Sequence, residues 1–260
     1  MAKISVCAEM FFPELSFVDR LAKLGEMGFR EVEFWNWQDK DIEAIVEVQA
    51  RWGLKVILFG AGCPPLVDPA QREEALKTLR GALDVAERLD CSTLIVLSGD
   101  RRPAVPEAAQ RQSLIESLKA LAPLAEDAGV TLALEPLNTL VDHVGHFLDS
   151  SEEGFAILEE VGSPRVKLLY DCYHMQIMEG NLISAISRHI EEIAHFHVAD
   201  VPGRHEPGTG ELNYANIVRR IDELGYAGYV GLEYKPLLAS DHSIPVTIAR
   251  LHPTESVEGS

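Results

Sequence analysis

Short β-rich runs alternate with longer amphipathic stretches along the whole chain. Strand-like runs stand at 4–10 (ISVCAEM), 31–35 (EVEFW), 55–59 (KVILF), 93–97 (TLIVL), 131–135 (TLALE), 167–171 (KLLYD), 195–200 (HFHVAD) and 229–234 (YVGLEY). Between them apolar positions recur at helical spacing over 15–27, 40–52, 71–89, 107–128, 151–161, 176–193 and 213–224, and a last helix is expected at 242–251. Several of these helices run into a glycine, as in EMGF, RWGL, DAGV, EVGS and ELGY, the residue that most readily closes a helix. The alternation over 260 residues predicts an α/β fold, a single-domain (β/α)8 TIM barrel spanning 1–252, with 253–260 as a flexible tail. A doubly wound open sheet is the alternative. It is weakened by the absence of GxGxxG after the first strand and of any GxxxxGK[ST].

Composition narrows the partners more than the fold. The chain is 47% hydrophobic and 25% charged, ordinary for a globular protein. Its formal net charge of -18 repels nucleic-acid phosphates and anionic lipid, and its basic residues form pairs such as Arg101-Arg102, not stripes. Neither nucleic acid nor membrane is therefore expected as a partner. No apolar run is long enough for a membrane span, and MAKISVCAEM carries no secretion signal, so a cytoplasmic location is expected. Cys7, Cys63, Cys91 and Cys172 show no metal-ligand spacing. The sequence leaves a homo-oligomer open.

In a barrel of this kind the chemistry gathers at the C-terminal ends of the strands. The last four strands end in Glu135, Asp171, His197 and Glu233. One such acid alone is as well read as a helix cap or an arginine partner. Four converging on one mouth point to a site for one divalent ion, and a carboxylate-rich set with one imidazole suits Mn²⁺, Mg²⁺ or Co²⁺. His195 and His197 face the same side of their strand, with His195 one layer deeper as a partner behind the ligands. Glu33, ending EVEFW, faces the same mouth and is a candidate to hold a substrate hydroxyl or a ligand, although a structural role fits as well. Trp35 and Trp37 supply aromatic wall or simple packing; Glu9, Asn138 and His146 are weaker candidates.

The segments LALEPLN, YDCYHMQ, HFHVADVPGRHEPGTGELNY and VGLEYKP resemble the hydroxypyruvate isomerase family, one of the xylose-isomerase-like TIM barrels and a neighbour of the ketose 3-epimerases. The resemblance spans essentially the whole chain and is densest from 131 to 236. It implies that Glu135, Asp171, His197 and Glu233 bind one divalent ion, and that Glu135 and Glu233 double as the proton-transfer carboxylates. It also implies that His174 and Arg204 hold the substrate's oxygens. The other readings are capping or packing for His174, and a loop salt bridge to Glu206 or Glu211 for Arg204. Glu206 and Glu211 are expected to order the loop, and Gly208 and Gly210 to let it turn tightly.

The chemistry that follows is the movement of a carbonyl along a small hydroxy-keto acid or sugar through an enediolate, with hydroxypyruvate and tartronate semialdehyde as the reference pair. A ketose 3-epimerase or a 2-keto-tetronate isomerase using the same centre is the alternative. An apurinic endonuclease would need more histidines and a basic face, and a non-catalytic sensor would not need two proton-transfer acids. The chain departs from the hydroxypyruvate isomerases after strand three, where FGAGCPPLVDPAQREE replaces a longer GDW…GERG insertion, and again in SGDRRPAVP and NTLVDHVGHFLDS.

Overall fold

A computed structural model of the protein describes residues 2–252; the tail expected at 253–260 lies outside the described residues. Eight parallel strands close in chain order into a barrel: β1 (Lys3–Cys7), β2 (Glu31–Phe34), β3 (Lys55–Gly60), β4 (Thr93–Val96), β5 (Thr131–Leu134), β6 (Val166–Asp171), β7 (Ile193–Val198) and β8 (Tyr229–Leu232). The expected (β/α)8 architecture is the observed one. The outer ring comprises α1 (Phe17–Glu26), α2 (Ile42–Trp52), α3 (Arg72–Leu89), α4 (Glu107–Ala128), α5 (Ser151–Val161), α6 (Cys172–Met178), α7 (Leu182–His189), α8 (Tyr214–Glu223) and α9 (Ser240–Leu251). The main apolar core lies between strands and helices, whereas Leu58, Ile95, Ala133 and Leu169 form a separate cluster. No helix among the described residues is long and apolar enough to cross a membrane.

Two departures from the sequence reading matter for the site. The helix expected at 176–193 is two helices, broken at Gly180 and Asn181, both in the left-handed region (φ 65° and 51°). The first of them begins immediately after Asp171, whose side chain caps it. The strands carrying the two glutamates are also shorter than expected. Glu135 and Glu233 are the first residues beyond β5 and β8, although their N–H groups still donate to Val96 and Val198 of the neighbouring strands at 3.2 and 3.3 Å. Those last ladder bonds aim the two carboxylates into the mouth.

The loop after β5 is fastened rather than free. Asn138 Oδ1 accepts from the N–H groups of Val141 and Asp142, and Ser98 Oγ accepts from Leu148 N–H while lying 3.0 Å from His146 Nε2. Burial, with the adjacent His143, depresses the His146 pKa from 6.5 to about 4. A histidine depressed on folding stabilises the protein above its unfolded pKa, and that contribution is lost as pH falls through the folded one. The window here runs from about 6.5 down to about 4 and amounts to about 3 kcal/mol. Urea titrations at pH 7 and 4.5 are therefore expected to show a drop in unfolding free energy about 2–3 kcal/mol smaller in His146→Gln than in the parent. Equal drops in both proteins would contradict it.

Candidate functional site

The mouth of the barrel gathers the four predicted ligands from consecutive strands. One atom each of Glu135, Asp171, His197 and Glu233 lies within 4.8 Å of all the others, and all four residues are buried. Pairing explains the convergence, since Asp171 stands opposite His197 across β6 and β7, and His197 opposite Gly231 across β7 and β8.

Asp171 divides its carboxylate between two tasks. Oδ1 accepts from Tyr173 N–H (2.7 Å) and His174 N–H (3.2 Å), the N-terminal cap of α6, and Oδ2 lies 3.5 Å from His174 Nε2 on the site side. Helix cap and ligand, alternatives in the sequence, are compatible in the structure.

His197 is likewise two-sided. Its Nε2 lies 3.1 Å from Glu33 Oε1, while Nδ1 lies 3.6 Å from both Glu135 Oε1 and Glu233 Oε2 and has no hydrogen-bond partner among the described residues. A separation of 3.6 Å is too long for a good hydrogen bond and fits two groups that share one ion.

Of the roles open to Glu33, a contact with a substrate hydroxyl, the orientation of a ligand or a structural part, its surroundings favour the second: it lies beneath His197, 1% exposed, with Ser5 Oγ donating to Oε2 at 2.9 Å and His195 Nε2 at 2.9 Å from the same oxygen. Both of its oxygens face residues already in place, so its geometry orients His197 instead. Burial alone would raise its pKa; the His195 and His197 imidazoles outweigh that and hold the carboxyl far below the usual range. Gly231 makes the arrangement possible, because a Cβ there would stand 2.3 Å from Glu33 Oε1 and 2.8 Å from His195 Nε2. His195 occupies the deeper layer expected of it.

The two glutamates differ. Glu233 accepts from the Trp35 indole N–H on Oε1 and from Arg204 Nη2 on Oε2. Burial opposes its charge, but Arg204 and His197 prevail and lower its pKa. Glu135 has His197 Nδ1 as its near polar neighbour, at 3.6 Å from Oε1, and burial outweighs that imidazole and pushes its carboxyl upward, as burial does that of Asp171. Crowding so many carboxylates in a buried space is costly without compensating positive charge. The unpartnered His197 Nδ1, the ligand spacing and this excess of negative charge together fit a divalent ion, and the buried Glu/His/Asp cluster could bind one.

His174 is fixed in one tautomer. The N–H of Asn138 donates to its Nδ1 at 3.3 Å, and because a backbone N–H can only donate, the ring proton sits on Nε2. Burial, then Arg204, holds the ring neutral, and Nε2 has no hydrogen-bond partner among the described residues. Arg204 pairs with neither Glu206 nor Glu211 but with Glu233, and its guanidinium lies 5.4 Å from the Tyr173 ring centre.

Sequence reasoning missed two groups. The first is the Trp35 indole, treated there as wall. The second is Asp200, whose buried carboxylate accepts from the N–H groups of Val201, Gly208, Thr209, Gly210 and Leu212 and ties the loop bearing Arg204 into a knot. An acid one residue ahead of a PG…PGTG stretch is the signal that was available. Glu206 orders the loop as expected, accepting from Leu237 and Leu238 N–H and from Ser243 Oγ. Of the weaker candidates, Glu9 is paired with Lys40 at 2.9 Å.

Comparisons with known proteins agree with this geometry. A family model described as "Xylose isomerase-like TIM barrel" matches residues 21–248. The chain is 35% identical over 249 residues to the 2-oxo-tetronate isomerase of Cupriavidus necator, covering 91% of this chain and 94% of that one. It is 32% identical over 248 residues to the hydroxypyruvate isomerase of Escherichia coli, with 91% and 94% covered. The crystal structure titled AP endonuclease, family 2, from Brucella melitensis superposes with a TM-score of 0.89 at 30% identity, covering 95% of this chain and 98% of that one. The chain belongs to the xylose isomerase-like TIM-barrel family, as an enzyme of its isomerase and epimerase type.

Proposed function

We propose that the protein is a divalent-metal-dependent isomerase that moves a carbonyl along a small α-hydroxy-keto compound through an enediolate. Hydroxypyruvate, tartronate semialdehyde and 2-oxo-tetronate are the reference substrates, and Mn²⁺, Mg²⁺ or Co²⁺ the ion. The observation that carries this reading is the convergence of Glu135, Asp171, His197 and Glu233 beside a neutral His174 whose Nε2–H is unpartnered. A divalent ion held by these four residues supplies Lewis-acid stabilisation of the charge that develops on the carbonyl and hydroxyl oxygens.

The chain's own groups do the rest. Glu135, less tightly held than Glu233, takes the proton from the hydroxyl-bearing carbon beside the carbonyl and returns it to the former carbonyl carbon, while the hydroxyl proton passes to the former carbonyl oxygen. His174 Nε2–H donates to the substrate oxygen on which charge grows, and its neutrality lets it do so without becoming a competing acid. Arg204 and the Trp35 indole hold Glu233 as a fixed anion, and Arg204 also offers its remaining N–H groups to substrate oxygens. The same site would epimerise if Glu233 delivered a proton to the opposite face. The two glutamates stand after β5 and β8, on either side of Asp171 and His197, but that reading requires Glu233 to give up its bonds to Trp35 and Arg204. A nucleic-acid substrate, suggested by the Brucella title, is opposed by the net charge of -18 and the carboxylates at the mouth.

The test is deuterium exchange in D₂O with hydroxypyruvate, 2-oxo-tetronate and simple ketoses, followed by NMR. Exchange beside the carbonyl is expected in protein loaded with Mn²⁺, is lost on chelation and returns with added ion. Full exchange in chelated protein would overturn the metal-dependent reading.

A further inference from the structure

The cavity above the ligand cluster has a volume of about 360 Å³ and is chemically two-faced. Glu135, His174, Arg204 and Glu233 line it from the β5–β8 side. The opposite wall, contributed by the ends of β2, β3 and β4 and the turn after β5, is made of Trp35, Cys63, Ile95, Leu97 and Leu137. Only Asn36 and His143 add polar side chains to the described lining outside the ligand side. Cys63 does not change this character: burial pushes its thiol up to about 12, so it stays an uncharged, weakly polar group. Trp35 and Leu97 are 46% and 39% exposed at the rim, apolar surface that a bound molecule would cover.

Size points the same way. A volume of 360 Å³ equals about twelve waters, and a three-carbon acid seated at the ligand cluster fills well under half of it. A polyhydroxylated chain reaching further would press its distal hydroxyls against Ile95, Leu97 and Leu137, where the described lining offers few partners for the hydrogen bonds they give up.

We infer that the substrate carries an apolar, methyl-terminated end remote from its reacting carbons, and that Ile95, Leu97 and Leu137 select for it. The inference rests on the isomerase reading, since it takes the α-hydroxy-carbonyl end to sit at the ligand cluster. A hydrophobic wall discriminates only modestly against an added hydroxyl, so a preference of about 10- to 100-fold in kcat/KM is the expected size.

The experiment uses matched pairs with the Mn²⁺-loaded protein: 2-oxo-tetronate against its 4-deoxy analogue, and a ketohexose against its 6-deoxy analogue. Hydroxypyruvate serves as the short reference, and deuterium incorporation beside the carbonyl is the readout. The deoxy member of at least one pair is expected to exchange about 10-fold or more faster in kcat/KM, and Leu97→Ser to shrink that ratio. Exchange with equal or reversed preference in both pairs overturns the inference and leaves the isomerase reading standing. Exchange with none of the five compounds, with Mn²⁺ shown to be bound, overturns both.

Discussion

Replacing Glu135 by glutamine is expected to slow deuterium exchange by about 10³- to 10⁴-fold, the contribution of a positioned general base. Glu135 is also one of the four ligand candidates and the amide lacks its charge, so exchange is compared at Mn²⁺ concentrations that saturate the variant. The expectation follows from the asymmetry between the glutamates. Glu233 has each oxygen engaged, by Trp35 and by Arg204, whereas Glu135 has only the longer approach of His197 Nδ1, 3.6 Å from Oε1. A carboxylate held by an indole and a guanidinium is a poor proton carrier, because taking up a proton costs it those charge-assisted bonds. Trp35→Phe would release one of the two and is a useful companion. If Glu233→Gln abolished exchange while Glu135→Gln retained most of it, the roles assigned to the two acids would be reversed.

Asp171→Asn should weaken divalent-ion binding by at least about 100-fold while leaving the urea midpoint of metal-free protein almost unchanged. The two oxygens of Asp171 predict this separation. The cap on α6 needs only an acceptor for the Tyr173 and His174 N–H groups, which the asparagine carbonyl still provides. The ion needs the charge, and the amide has none. Asp171→Ala removes both and is expected to cost a further ~1 kcal/mol of stability, the usual value of a lost cap. Titration of Mn²⁺ into chelated protein, with unfolding curves on the same samples, separates the two effects. Unaltered Mn²⁺ affinity in Asp171→Asn would remove Asp171 from the ligand set.

The barrel was legible in the sequence because its signals are local. Short buried strands read as apolar runs, and the glycines in RWGL, DAGV and EVGS occupy left-handed closing positions, at Gly53, Gly129 and Gly162. The three acids and the imidazole were legible for the same reason, each standing at or near the end of an apolar run. The break between α6 and α7 was missed because apolar periodicity continues on both sides of Gly180-Asn181, and the GN pair was the only interruption. The roles of Glu33, Trp35 and Arg204 were not readable, since each depends on a partner far along the chain. Glu33 faces a strand begun more than 150 residues later, Trp35 meets Glu233 beyond β8, which flanks β1 on its other side, and Arg204 finds that same Glu233 rather than the nearer Glu206. Which way a strand-end side chain leans is settled by neighbours such as Gly231, whose missing Cβ leaves the space that Glu33 occupies.

The split of the mouth into a ligand side on β5–β8 and an apolar side on β2–β4 has a consequence for how such a protein can be altered. Apart from Leu137 after β5, the apolar side comes from one stretch of sequence, so a chimera that takes β3, β4 and their loops from a relative, with the residue at 137 exchanged alongside, should inherit that relative's substrate preference while keeping its own reaction. The seam cannot be drawn at the exact midpoint of the chain. Ser5, Glu33 and Trp35 sit in or beside β1 and β2 yet serve the far side, bracing His197 and Glu233. The exchangeable cassette therefore begins after Trp37 and ends before β5, and a graft that carried β1 and β2 along with it would transplant the tail pocket at the expense of the centre that does the chemistry.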